Sequence, residues 1–232
     1  MTSRISGGAI GPNPYGPQWG TGETTSDGSS SIGAQVEDSL FGRKRPTLVE
    51  EDADTGALLA RLDVFRRKLA RLAGDAPEDY RLQLAAGTIA AIDVDGIIYV
   101  GKGFLLDTAE VLPLQVGVLA HEIGHRPQRW KAYRAQKAIE PDQLADLCRL
   151  EETRADYFAG YALAHLRMTA DPVCLYLHRV QTQPHPEYFS AELREKTIRE
   201  GFVAGERRQS NLRKFFPELA RVSGVASDLG DA

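Results

Sequence analysis

The stretch Val118-Leu119-Ala120-His121-Glu122-Ile123-Gly124-His125 limits this chain more than any other feature. Two histidines four apart act together only on an α-helix, where they lie one turn above each other and both imidazoles point at the same spot. A tetrahedral zinc ion takes two such nitrogens at about 2.0–2.1 Å and leaves room for a third protein ligand and a water. Glu122, beside the first histidine, is placed to take the proton from that water. A buried apolar helix that carries the five-letter pattern by chance is the plain alternative. The metal reading therefore needs a third ligand elsewhere in the chain.

The chain has 232 residues, which suits one domain, or one domain plus a tail. A hydrophobic share of 42% is enough for a core, and a net charge of −4 argues against nucleic acid as the main partner. The longest nearly uncharged apolar stretch, Val111 to Ala120, is too short to span a bilayer and already contains Gln115 and Gly117. After Met1 the only early charge is Arg4, with no apolar segment behind it, so no secretory signal peptide is expected. The expected location is the cytoplasm, with export by a signal-peptide-independent route left open. Cys148 and Cys174 stand at no metal-ligand spacing and are expected as reduced, buried thiols.

Three segments are expected: a disordered tail over residues 1–48, a folded domain over 49–222 and a second tail over 223–232. Gly, Ser, Thr and Pro crowd Gly7 to Gly33 with no period of 2 or 3.6. The first tail can serve as a linker, as a docking or targeting signal, or as a pro-segment over the site; Arg43-Lys44-Arg45 is a plausible processing point. Leu58, Leu62, Phe65, Leu69 and Leu72 then draw one apolar stripe along a helix that ends at Gly74-Asp75. Arg61, Arg66, Arg67, Lys68 and Arg71 lie off it, as a solvated basic face.

From Tyr80 to Val100 the pattern turns to strands. Asp95-Gly96 between two β-rich runs predicts a hairpin with a type I′ turn, in a sheet of about three strands. A short helix after Gly103 and the histidine helix, ending just after His125, come next. Pro127 enforces that end by disfavouring helical geometry at Arg126. Further helices are expected over about 128–137, over Pro141 to His165, and from Ala191 to Arg208, the last burying Leu193, Ile198, Phe202 and Val203. The fold class is α+β, mainly helical.

The third ligand is sought in Leu150-Glu151-Glu152-Thr153-Arg154-Ala155-Asp156-Tyr157-Phe158-Ala159-Gly160. Glu152 and Asp156, four apart, share one side with small Ala155 and Ala159, which let this helix approach the first. Glu152 is the expected zinc ligand. Asp156 is expected to accept the free N–H of a ligating histidine, which fixes its tautomer and raises its basicity. Glu151 is the rival ligand. Ion pairing of these acids with Arg149 and Arg154 on a solvated face is the bland alternative.

Taken together, the hairpin, the His-Glu-x-x-His helix and the Glu-x-x-Ala-Asp helix resemble gluzincin metallopeptidases of the HtpX and CAAX-prenyl-protease superfamily. Ile97 to Leu106 resembles that family's edge strand and following segment, and His185-Pro186 resembles a dipeptide it places in a loop near the metal. The resemblance covers roughly residues 55 to 205 and lacks the family's transmembrane helices. It implies a zincin-like domain with one zinc ion on His121, His125 and Glu152, Asp156 beside them, and an edge strand holding extended peptide. It also implies a role for His185 on the metal or at an oxyanion. In the family an arginine follows His-Pro closely; here the nearest is Arg194, a few residues too far along. The implied activity is zinc-dependent endopeptidase action on peptide or unfolded protein, with Glu122 as base. An ImmA/IrrE-like peptidase cutting one repressor partner, and a non-catalytic zinc-stabilised binding or chaperone module, are the alternatives. The first kind shows Asn where this chain has Asp156. The second calls for a closed site with His185 permanently on the metal. Tyr176 and Tyr188 are further candidate oxyanion donors, His165 a helix-end residue and His178 a core or boundary group.

Overall fold

A computed structural model describes residues 46–126, 129, 140–183, 185, 188–189 and 190–215. Of the expected tail over 1–48, residues 1–45 lie outside the described residues, while Thr47–Leu48 pair into the sheet; the expected tail over 223–232 and the expected helix over 128–137 apart from Arg129 also lie outside them. A four-stranded mixed sheet and a larger share of helix make the fold α+β.

Helix α1, Ala53–Ala73, starts on a reciprocal cap in which the Asp52 carboxylate accepts from the Thr55 N–H and the Thr55 hydroxyl from the Asp52 N–H. It stops at Gly74, whose φ of 83° closes the last turn. The buried stripe runs through Leu59, Leu62 and Leu69, with Leu58, Phe65 and Leu72 only partly covered. Its basic face is less solvated than expected. Arg61 donates to the Ala109 carbonyl and to Gln115, and Arg66 to the Pro77 and Tyr80 carbonyls. Both guanidiniums thus tie α1 to neighbouring segments.

Strands β1 (Thr47–Leu48), β2 (Arg81–Ala86), β3 (Ala90–Ile92) and β4 (Ile97–Gly101) are ordered β1-β2-β4-β3. β2 runs parallel to β4, and β3 forms the expected antiparallel hairpin with it, Ile92 facing Ile98. The turn differs from type I′. Asp93 N–H reaches the Ile97 carbonyl, Gly96 N–H the Asp93 carbonyl, and of the two central residues only Gly96 has positive φ, 76°. That is the three-residue class, which ends on one left-handed residue. Asp93 stabilises it by accepting from the Asp95 and Ile97 N–H groups and from the Tyr99 hydroxyl. The Ile97 run is therefore an interior strand, paired on both sides; the free edge on this side belongs to β3.

Helix α2 (Lys102–Asp107) leads to α3 (Leu112–Gly124), whose Val116, Leu119 and Ile123 are buried as their spacing predicts. α3 ends at its cap His125, and Arg126 turns to a φ of 52°, so the chain leaves the helix where Pro127 requires it. Next come α4 (Pro141–His165), α5 (Asp171–Val180) and α6 (Ala191–Phe215). The most extensive helix contact is α4 on α6. Glycines permit it: a Cβ on Gly160 would lie 1.8 Å from the Ile198 carbonyl oxygen, and one on Gly201 2.0 Å from that of Tyr157. Ile198 is buried and Phe202 partly so, whereas Leu193 and Val203, expected inside, are exposed. The tight backbone contact uses the glycine face of α6 and leaves those two side chains on its flanks. Among the described residues no helix is long and apolar enough to cross a membrane.

Candidate metal centre

The end of α3 and the middle of α4 meet at a close crossing. A Cβ on Gly124 would stand 2.8 Å from the Ala155 Cα. That approach brings His121, His125 and Glu152 together, with one donor atom of each lying within 4.8 Å of the others. His121 Nε2 is 3.3 Å from Glu152 Oε2, and His125 Nε2 is 3.6 Å from Glu152 Oε1. Two ligands on a tetrahedral zinc ion stand about 3.3 Å apart, given metal bonds of about 2.0–2.1 Å. The spacing and the donor types both fit such an ion.

The tautomer of His121 strengthens the fit. Its Nδ1 lies 2.9 Å from Asp156 Oδ1 and donates there. Nε2 faces the Glu152 carboxylate, where the ring's second proton sits and where a metal ion would take the nitrogen lone pair in its place. Burial works against charge on His121, yet the Asp156 and Glu152 carboxylates hold it up to about 10. His125 goes the other way, lowered to about 4 by burial. Burial also opposes ionisation of Asp156, but Arg194 and His121 outweigh it and bring the carboxyl down to about 2.

Glu122 is buried beside the cluster, and burial pushes it up to about 7; among the opposing influences are the charges of His121 and Arg194 and the Ile92 amide. Through that amide β3 meets Glu122. His121 keeps 17% of its side chain exposed, so the cluster is reachable from outside on that side.

Arg194 does what sequence distance argued against. Its Nε lies 2.8 Å from Asp156 Oδ2, and its Nη2 lies 3.0 Å from Asp156 Oδ1 and 3.4 Å from Glu152 Oε2. The segment between His185 and α6 folds back through a bridge between His185 and Tyr188, and α6 then carries the guanidinium to the carboxylates. Tyr188 sits between the His185 ring, 5.0 Å away, and the Arg194 guanidinium, also 5.0 Å away. His185 is not among the converging donors, although the Glu152 charge acts on it.

The remaining candidates separate. Glu151 is fully buried, but its carboxylate is paired with Arg129 and Arg154 instead of joining the cluster. Tyr176 packs against Phe104 at 5.7 Å and belongs to the core margin. His165 is exposed at the end of α4, and His178 is an exposed boundary group, 2.7 Å from Glu195. Cys148 and Cys174 are buried. Neither a protein-family model nor a curated protein matches the chain.

Proposed function

We propose that this protein is a zinc-dependent endopeptidase of the gluzincin kind, similar in build to the HtpX and CAAX-prenyl-protease superfamily. One observation carries the reading: donor atoms of His121, His125 and Glu152 converge within 4.8 Å of one another, with the buried carboxylate of Glu122 next to the first of them. His121, His125 and Glu152 would hold the ion, and Asp156 and Arg194 orient His121 and Glu152 from behind. When bound, zinc supplies Lewis acidity toward a carbonyl oxygen and lowers the pKa of water toward about 7.

Glu122 takes the proton of the attacking water and delivers it to the leaving amine. Its raised pKa suits both halves of that task near neutral pH. The β3 edge, Ala90–Ile92, offers backbone groups to an extended peptide, which gives affinity with limited sequence selectivity. His185, on which the Glu152 charge acts, and its ring neighbour Tyr188 are the donors for the developing oxyanion. The substrate in this reading is peptide or unfolded protein, because the β3 edge can pair with an extended backbone.

Glu122→Gln tests the reading. The variant keeps stoichiometric zinc, measured by metal analysis, while casein hydrolysis falls by about 10²–10⁴-fold. Unchanged hydrolysis in a zinc-loaded Glu122→Gln chain would sink the mechanism.

A further inference from the structure

We propose that Arg129 and Glu151 are a positioning pair that sets the spacing between the two halves of the metal centre; this rests on the metal reading above. Glu151 immediately precedes the ligand Glu152 on α4, and its carboxylate is fully buried. Arg129 Nε donates to Glu151 Oε2 at 2.8 Å, and its Nη2 donates to the Gly124 carbonyl, the residue before the ligand His125. One guanidinium thus spans from the last turn of α3 to α4, one residue away from a ligand on each side. The Arg129 N–H bonds to the Arg126 carbonyl at 2.9 Å, a turn that returns the side chain to the helix it has just left.

The chemistry favours positioning over simple cohesion. A buried carboxylate costs several kcal/mol in desolvation, and an apolar side chain of similar size would often pack there at lower cost. The planar guanidinium divides its bonds, Nε to the Glu151 carboxylate and Nη2 to the Gly124 carbonyl, so its rigid plane fixes the direction between the two partners. Its second bond goes to a carbonyl at the negative end of the α3 dipole, where a cation is favoured. Gly124 and Ala155 let the helices touch here, and the Arg129 bridge adds a second polar link beside the His121–Asp156 contact.

The test uses the full chain, zinc affinity by competition with a chelating dye, and the visible spectrum of the Co²⁺-loaded protein. Arg129→Met and Glu151→Gln are each expected to weaken zinc by about 10-fold or more and to change the Co²⁺ band shape. The double variant should be no worse than the poorer single one, since the pair acts as a unit. Arg129→Lys keeps the charge without the fork and should fall between Arg129→Met and the parent. Should Arg129→Met fail to fold, Arg129→Lys and Glu151→Gln carry the comparison. Variants that lower the melting temperature of the metal-free chain, yet keep zinc affinity within about twofold and an unaltered Co²⁺ spectrum, would overturn the proposal. A parent chain that binds no metal would overturn the metal reading first, and this inference with it.

Discussion

Asp156 keeps its charge well into acid. Its folded pKa is held at about 2 against an ordinary 3.8, by Arg194 and His121 acting against burial. A carboxylate depressed on folding contributes stability above its unfolded pKa and loses it as pH falls through the folded one. The metal-free chain should therefore lose that part of its stability between 3.8 and about 2, and Asp156→Asn should flatten the same window in thermal melts. If the parent and the variant fall in parallel there, Asp156 is not held as described. Arg194→Met asks the opposite question, since it leaves a buried carboxylate without its main partner. Breaking such a pair costs about 3–5 kcal/mol, readable as a shift in the urea midpoint. At this scale Glu152 and Asp156 were legible because i and i+4 on a helix share a face. Arg194 was not, because the 42-residue separation from Glu152 is closed by packing, which no local spacing records.

Helix crossings decide whether those side chains meet. α4 on α6 is built on backbone contact at Gly160 and Gly201, and α3 on α4 on contact at Gly124. Gly160→Ala would drive a methyl into the Ile198 carbonyl, force the helices apart and move Arg194 off Asp156. The expected cost is about 1–3 kcal/mol, as for other overpacked sites, together with weaker zinc binding. Gly56→Ala is the control: its Cβ would meet only the end of the Glu51 side chain, at 3.5 Å, inside α1. There the same exchange should stabilise by about 0.5–1 kcal/mol in chemical unfolding, because glycine loses more freedom on folding. Equal effects at both positions would contradict the close crossing. The ends of α1, α3 and α4 were readable from Gly74, Pro127 and Pro141, residues with strong backbone preferences. The hairpin was readable too, but not its turn class, because Asp95 can take either sign of φ and hydrogen bonds to Asp93 select one.

For the whole molecule, the metal would join two helices that already meet through packing, the Arg129 bridge and the contacts of His121 and His125 with Glu152 and Asp156. Zinc should raise the melting temperature and a chelator reverse it, with about 2.7 kcal/mol of added stability at 100-fold excess over the dissociation constant. A melting temperature indifferent to both would argue against a site formed by α3 and α4 together. The mainly helical α+β class, the hairpin, the histidine pair and the carboxylate pair were legible in the sequence alone. Each depends on interactions within a few residues: helical period, strand alternation, proline geometry and side chains one turn apart. Tertiary structure alone decided that β4 is interior and β3 the free edge, since strand order depends on a parallel pairing with β2. It also decided that Arg61 and Arg66 face the protein, that Glu151 turns from the cluster to Arg129, and that Arg194 reaches Asp156. Those outcomes depend on which surfaces the folded chain brings within a hydrogen bond's length, and charge and period in the sequence do not encode that distance.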